Sequence, residues 1–348
     1  MWFESFSRNA GGAADGQIVE NGRVVPDKGR NYVFTDELVA AVDVAVGLGR
    51  PLLVSGEPGC GKTELGYAVA RRMGIPRVHF FSTKSNSESR DLFYTYDALS
   101  RFRDAQSPVA SGKQSRDAAD YVEFQALGRA ILDAHDKAEI AHLLRGRRAY
   151  AHAGQPERSV VIVDEIDKAS RDFPNDLLRE IEDLSFAVPE MGSGDDGAGG
   201  KAPETPGSIP AARKPIIIIT SNEERQLPDA FLRRCVFHEI AFPSDDVLGR
   251  IIASGLDRRL PKAAGEFSLP EPERALLTSL LGSFRALPLD KRPGISELID
   301  AAALLAYPAG DPPPLADRLR STVPALAKLR NDRLALSQLI EARLKQGH

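Results

Sequence analysis

A glycine-rich run that ends in a lysine and a hydroxyl residue is the strongest chemical signal in the chain. The run Gly56-Glu-Pro-Gly-Cys-Gly-Lys-Thr63 fits the pattern G-x-x-x-x-G-K-[S/T]. Backbone N–H groups of such a loop converge on phosphate oxygens, Lys62 adds a point charge, and the Thr63 hydroxyl is placed to ligate Mg²⁺. An apolar strand is predicted before the run and a helix after it, which is the context that the pattern requires. The residues predicted to surround the phosphates are Gly56, Glu57, Pro58, Gly59, Cys60, Gly61, Lys62, Thr63 and Glu64.

Two neighbouring carboxylates follow another apolar strand, predicted at residues 160–163. They are Asp164 and Glu165. In open α/β sheets, ligands bind at the carboxyl ends of the strands. Asp164 is therefore predicted to hold Mg²⁺ through its water shell, and Glu165 to be the general base or orienter of an attacking water. The next charged residues, Asp167 and Lys168, are interpreted as helix-entry or intersubunit charges, with a solvated face as the favoured role.

One amide and two basic pairs lie at the ends of further elements. Asn222 follows an apolar strand, where its amide either bonds a γ-phosphate and the lytic water or ends the strand in a turn. Arg233 and Arg234 either close a helix or reach the γ-phosphate of a neighbouring subunit. Lys291 and Arg292 precede a helix, where cations are unfavourable unless an anion lies near. A nucleotide phosphate is such an anion.

The predicted secondary structure around these residues alternates between strands and helices up to about residue 243. This alternation predicts an α/β fold with a parallel sheet, and the helical remainder fits a smaller second domain. The predicted strands are 51–55, 77–81, 160–163, 215–219 and about 236–241, with a short strand within 17–25 and one arm of a hairpin at 186–190. The predicted helices begin at residues 36, 62, 175, 229, 245, 271, 296 and 315.

The composition excludes several classes of protein. The 348 residues carry 45 Lys+Arg against 49 Asp+Glu, a net charge of −4, which argues against a generally basic protein that coats nucleic acid. Two cysteines exclude a disulfide framework and favour a cytoplasmic location. No apolar run approaches the roughly 20 residues that cross a bilayer, and no secretory signal is seen, so we expect no membrane association.

Isolated histidines and cysteines do not predict further chemistry. His135, His142 and His152 have no metal-ligand spacing with Cys60 or Cys235 and are interpreted as surface residues. Cys60 is interpreted as a small filler of the glycine-rich loop rather than a nucleophile.

Taken in order, these motifs resemble those of the AAA+ ATPases over about residues 32–310. The segments 175–190 and 227–234, and a long insertion after the second strand, are similar to those of MoxR-type ATPases, the helix-2 insert clade. The resemblance implies a P-loop NTPase sheet of order 5-1-4-3-2, ATP and Mg²⁺ as cofactors, and homo-oligomers that form rings of six. The implied organisation is a flexible arm (1–31), an α/β core (32–243) with a helical insertion (about 85–157) and a Gly-rich loop (192–213), and an all-helical lid (244–348).

The resemblance also assigns roles to the polar and basic residues. Asn222 corresponds to the first sensor and Arg234 to an arginine finger that acts in trans, with Arg233 as the alternative. Arg292 corresponds to the second sensor. MoxR-type proteins place that arginine in a Ser-Pro-Arg-Ala-like context, whereas here the run is Lys-Arg-Pro-Gly, so Lys291 or neither residue is the alternative.

Three functions stay open at this stage. The leading hypothesis is an oligomeric Mg-ATP hydrolase that remodels a protein client, often with a von Willebrand factor A-domain partner in that clade. The first alternative is a motor on nucleic acid in a restriction system, using ATP or GTP, with a channel lined by arginines. The second is a non-hydrolysing ATP-dependent assembly switch, and a kinase-type transferase is less favoured. The candidate channel residues are Arg101, Arg103, Arg145, Arg147 and Arg148.

Overall fold

The computed structural model describes residue 6 and residues 17–106, 117–146, 150–192, 203–206, 209–259, 267–308 and 313–346. The chain forms two compact units. The first takes up residues 36–55 and 63–239 with the described residues before Asn31, and the second takes up residues 31–35, 56–62 and those from Ile240 onward.

The strands form one large sheet and two small ribbons. They are β1 (Val19–Glu20), β2 (Arg23–Val24), β3 (Leu52–Gly56), β4 (Arg77–Ser82), β5 (Tyr94–Tyr96), β6 (Val122–Phe124), β7 (Val160–Asp164), β8 (Ile216–Thr220), β9 (Val236–Ile240), β10 (Phe267–Ser268) and β11 (Tyr307–Pro308). The large sheet has the order β2-β1-β4-β7-β8-β3-β9, and β5 pairs with β6 and β10 with β11.

The predicted strand order of the sheet is confirmed. The five strands predicted from apolar runs are β3, β4, β7, β8 and β9, and their order in the sheet is 5-1-4-3-2 counted along the chain. The pairs β4–β7, β7–β8 and β3–β8 are parallel, so the carboxyl ends of these strands share one edge. At the other end of the order, the β1–β2 hairpin adds to β4 and extends the sheet.

Helices flank this sheet and make up most of the second unit. They are α1 (Asp36–Leu48), α2 (Lys62–Arg72), α3 (Ala98–Gln106), α4 (Ala126–Asp133), α5 (Phe173–Asp176), α6 (Leu178–Asp183), α7 (Asp229–Leu232), α8 (Asp245–Arg259), α9 (Glu271–Arg285), α10 (Ile295–Leu305), α11 (Leu315–Ser321), α12 (Val323–Leu326) and α13 (Arg330–Gln346). In the second unit, α8–α10 and α13 bury one apolar core that includes Leu248, Ile252, Leu277, Leu298 and Leu336. No helix in the described ranges is long and apolar enough to span a membrane.

The central strands β7 and β8 are almost entirely apolar because both faces of a parallel sheet are covered. In β7 and β8 all residues but Asp164 are buried, and these two strands occupy the middle of the order. Gly66 of α2 lies so near Ile162 that a Cβ there would come within 2.5 Å of its side chain. The helix therefore packs closely on the strand that ends in Asp164 and Glu165.

The segment between β4 and β7 contains α3 and α4, together with the β5–β6 ribbon that was not predicted from the sequence. A buried polar network joins it to the sheet: His79 Nε2 lies 2.8 Å from Asp133 Oδ2, and the Tyr150 hydroxyl donates to the same carboxylate. The interpretation of His135 as a surface residue is wrong. Its side chain is 5% exposed and Nδ1 lies 2.8 Å from the Ile131 carbonyl.

The Gly-rich loop is described only in part, since residues 193–202 and 207–208 lie outside the described residues. Where it is described, Ala187 and Glu204 form an antiparallel bridge, and the Val188 N–H donates to the Pro203 carbonyl. The arm predicted at 186–190 therefore finds its partner in this loop.

Candidate functional site

The glycine-rich loop connects β3 to α2, and its lysine folds back onto the loop itself. Lys62 Nζ donates to the Gly56 carbonyl at 2.7 Å and to the Glu57 carbonyl at 3.0 Å. Gly59 and Gly61 have φ of 79° and 95°, the left-handed region that favours glycine. The loop thus curves around the ammonium group, whose positive charge suits the binding of an anion.

Cys60 supplies packing rather than reactivity to this loop. Its side chain is buried, and it belongs to the apolar core of the second unit. Burial raises the pKa of the Cys60 thiol, while the nearby Lys62 opposes that shift. The thiol is therefore neutral near pH 7, because the thiolate that attacks electrophiles is the disfavoured form.

Oxygen ligands suited to Mg²⁺ meet where α2 begins and β7 ends. The Thr63 hydroxyl donates to Asp164 Oδ1 at 2.7 Å, and the Thr220 hydroxyl donates to the same oxygen at 2.8 Å. Magnesium prefers carboxylate, hydroxyl and phosphate oxygens and usually keeps several waters. The Thr63–Asp164 pair fits such an ion. Among the residues that the structure describes, no group of three or more His, Cys, Asp and Glu side chains could hold a metal ion.

Glu165 stands at the carboxyl end of β7 in a strained backbone conformation. Its φ of 55° and ψ of 53° place it in the left-handed region, which costs a non-glycine residue about 1–3 kcal/mol. Its N–H donates to the Thr220 hydroxyl at 2.8 Å, which holds the strained residue in place. Such strain persists where the surroundings fix it and is common at functional sites.

The carboxylate of Glu165 is held by two donors from different elements. Asn222 Nδ2 donates to Oε1 at 3.0 Å, and Lys168 Nζ donates to Oε2. The hydrogen bond to Glu165 raises the pKa of Lys168, so the ammonium stays charged at the site. The structure therefore brings together Asp164, Glu165 and Asn222, as expected for residues at the carboxyl ends of parallel strands.

Asp167 is not on a solvated face, and that interpretation is wrong. Its carboxylate is 3% exposed and accepts N–H bonds from Asn222 at 3.2 Å and from Glu224 at 2.9 Å. The 3₁₀ turn Ile166–Lys168 after Glu165 directs the side chain inward. Asp167 therefore fixes the backbone of Asn222. Lys168 is partly exposed and pairs with the Glu165 carboxylate.

The basic pairs have different surroundings. Arg234 Nε donates to Glu182 Oε1 at 2.5 Å and its Nη1 to the Ala230 carbonyl at 3.1 Å. Arg233 is exposed, and no hydrogen bond or ion pair of its side chain occurs within the described ranges. Lys291 and Arg292 are both exposed in the segment before α10, where the Lys291 N–H donates to Asp332.

Two acidic residues of the glycine-rich run have partners elsewhere in their own units. Glu64 accepts the Gly29 N–H at 3.0 Å, and Glu57 pairs with Arg285 at the end of α9. Neither Arg285 nor Thr220 was assigned a role from the sequence. Thr220 had a local signal, because it ends the apolar strand before Asn222, whereas Arg285 had none.

Replacing Thr220 by valine is expected to lower the free energy of unfolding by about 1–3 kcal/mol. Thr220 is 1% exposed, and the change leaves the Glu165 N–H without its partner and takes one donor from Asp164. Thr83→Val is the matched control, because the Thr83 hydroxyl is buried with no hydrogen-bond partner among the described residues. Urea unfolding of both variants is the measurement, and equal losses would contradict the role given to Thr220.

The sheet order, the phosphate-type loop and the acidic residues after β7 together define a P-loop nucleotide-binding fold. The family model described as "ATPase family associated with various cellular activities (AAA)" matches residues 52–244. This is more than half of the chain, so the chain belongs to the AAA ATPase family. Members of this family generally bind and hydrolyse ATP and assemble into oligomers.

Similar solved structures include three of RuvB from Thermotoga maritima. Two are variants, with TM-scores of 0.40 and 0.42, 14% identity, and coverage of 87% and 90% of this chain and 67% and 73% of theirs. The third, described as the Holliday junction branch migration motor, has a TM-score of 0.40 and 14% identity and covers 87% of this chain and 67% of its own. No curated protein matches the sequence significantly.

Proposed function

We propose that the protein is an oligomeric Mg-ATP hydrolase that uses turnover to remodel a protein client. The observation that carries this proposal is the hydrogen-bonded set of Thr63, Asp164, Thr220, Glu165 and Asn222. An ATP-dependent switch without hydrolysis needs a metal ligand but no positioned carboxylate. The strained Glu165 with two donors on its carboxylate therefore favours a hydrolase.

The glycine-rich loop and four residues of this set have distinct roles in the proposed reaction. The backbone of residues 56–62 and Lys62 bind the phosphates, and Thr63 and Asp164 would hold Mg²⁺. When bound, the ion neutralises charge on the phosphate oxygens. Glu165 accepts the proton of the attacking water, and Asn222 fixes the Glu165 carboxylate through Oε1.

We further propose that Arg234 completes the site of a neighbouring subunit. Its partner Glu182 is partly exposed, and exposed ion pairs contribute only about 0–1 kcal/mol, so the guanidinium is released at little cost. A guanidinium suits this task because it stays charged and binds phosphate oxygens in a fork. A ring with active sites between subunits follows, of which six subunits is the number that the resemblance implies.

The assignment to the MoxR-type clade and to a protein client is supported by the insertion between β4 and β7.

Two of the arginines that would line a polynucleotide channel are bonded within the chain: Arg101 donates to the Tyr96 hydroxyl and Arg145 to the His142 carbonyl. Arg147 and Arg148 lie outside the described residues. A protein client, with a von Willebrand factor A-domain protein as candidate partner, is therefore favoured over nucleic acid. We also expect the protein to act in the cytoplasm.

Client capture tests this part of the proposal. The chain with Glu165→Gln is expected to hold ATP and retain a protein client that is released with ADP. Lys62→Ala is the control, because it removes the phosphate-binding charge and should retain nothing in either nucleotide. A nuclease-sensitive shift on DNA or RNA that weakens with salt, with no retained protein, would instead favour the nucleic-acid motor.

A further inference from the structure

The glycine-rich loop is held from one side by the end of α9. Arg285 Nη2 donates to both carboxylate oxygens of Glu57, at 2.9 and 2.7 Å. Its Nη1 donates to the Pro293 carbonyl, and its guanidinium lies 3.7 Å from the centroid of the Phe242 ring. The Arg285 side chain is 12% exposed. The Pro293 carbonyl and the Phe242 ring fix the plane of the guanidinium. The Glu57 carboxylate, which is bound to that guanidinium, is therefore held in one position.

Two more contacts join the same segment to the next residues of the loop. A Cβ at Gly294 would lie 2.6 Å from the Pro58 carbonyl oxygen, so the two backbones touch where only glycine fits. The Ser296 hydroxyl donates to the Gly59 carbonyl at 3.3 Å. Residues 57–59 are thus each contacted by residues 285–296, all within the second unit.

Glu57 connects these contacts to the phosphate-binding lysine. Its carbonyl accepts a bond from Lys62 Nζ while its carboxylate accepts those from Arg285. A shift of Glu57 therefore changes the part of the loop that holds Lys62. Without Arg285, the carboxylate would also place an unpaired negative charge beside a loop that has to bind an anion.

We propose that Arg285 is a positioning residue for nucleotide affinity, which acts through Glu57 and makes no contact with the phosphates itself. This proposal rests on the proposed function, in which residues 56–63 bind Mg-ATP. Glu57 and Pro293 accept three bonds from the Arg285 guanidinium, the Phe242 ring covers one of its faces, and the side chain is only 12% exposed. Its effect therefore has to pass through the conformation and charge of Glu57.

The test compares Arg285→Gln in two backgrounds, with ATP affinity from calorimetry and KM and kcat from hydrolysis by the full chain. In the natural sequence we expect Kd and KM to rise about tenfold and kcat to change less than about threefold. In a chain that already carries Glu57→Gln, the same change should alter Kd by less than about twofold. Arg285→Lys should be intermediate, because lysine keeps the charge but not the fork.

Arg318→Gln is the matched control for structural damage. Arg318 of α11 is buried, binds Glu273 with two bonds of 2.7 Å and also donates to the Leu305 carbonyl. It should lower thermal stability and leave KM unchanged. If Arg285→Gln weakens ATP binding equally in both backgrounds, Arg285 contacts the nucleotide directly and the proposal is wrong. If Arg318→Gln raises KM as much, the effect is merely structural. If the unsubstituted chain binds no Mg-ATP, both this proposal and the proposed function are wrong. That outcome differs from the two above, in which the unsubstituted chain does bind Mg-ATP.

Discussion

Glu165→Gln is expected to reduce ATP turnover about 10³-fold while ATP still binds. Glutamine occupies nearly the same space but cannot accept the proton of the attacking water. Glutamine also has one carbonyl oxygen in place of two carboxylate oxygens, so either Asn222 or Lys168 loses its acceptor. The phosphate-binding loop and the Thr63–Asp164 pair stay intact, so affinity should change little. Phosphate release under saturating ATP, with calorimetry for binding, is the measurement.

Glu224→Gln provides the comparison for this result. Glu224 is exposed and contributes its backbone N–H to Asp167, which the substitution does not alter. It should keep full turnover. If Glu165→Gln retains turnover within tenfold of the natural chain, Glu165 is not the base, and the strained conformation at φ 55° would need another cause.

Arg234→Ala is expected to reduce turnover by about 10³-fold as well, through the loss of charge stabilisation at a neighbouring site. The reason is that Arg234 lies in a weak, partly exposed ion pair with Glu182 and can be released to a partner. The measurement is ATP turnover after subunits of two variants are mixed. Arg234→Ala and Glu165→Gln chains, each inactive alone, should regain turnover together, because an intact Glu165 site receives Arg234 from its neighbour.

Arg233→Ala is the control for that experiment. Arg233 is the exposed neighbour and should affect turnover little. If Arg233→Ala is the inactive variant, the two arginines have exchanged roles. If mixing restores nothing although the chains co-assemble, Arg234 does not act between subunits.

Local sequence patterns were sufficient for the sheet and for half of the site. The apolar runs that became β3, β7 and β8 predicted strands because buried parallel strands are continuously apolar. Because these strands are parallel, the residues that follow them lie at the same edge of the sheet. Asp164, Glu165 and Asn222 were therefore expected to lie near each other. That inference needed only the positions of the residues after each strand.

The remaining contacts depend on conformation and distance along the chain, which leave no local signal. Lys168 and Asp167 looked like surface charges, and only the 3₁₀ turn after the left-handed Glu165 places one on Glu165 and buries the other. Arg285 lies in the last turn of α9, where a basic residue is favourable whatever else it contacts. Its partner Glu57 lies 228 residues away, and no pattern within a window of the sequence joins the two.

In the proposed function the chain hydrolyses ATP with magnesium, and Lys62, Thr63, Asp164 and Glu165 each contribute to the reaction. We would measure the rate of phosphate release from ATP by the purified protein, first with Mg²⁺ and again with excess chelator. Steady turnover that requires the cation and vanishes with Glu165→Gln is the expected result. Tight ATP binding without phosphate release under any magnesium concentration would contradict the claim and leave an assembly switch in its place.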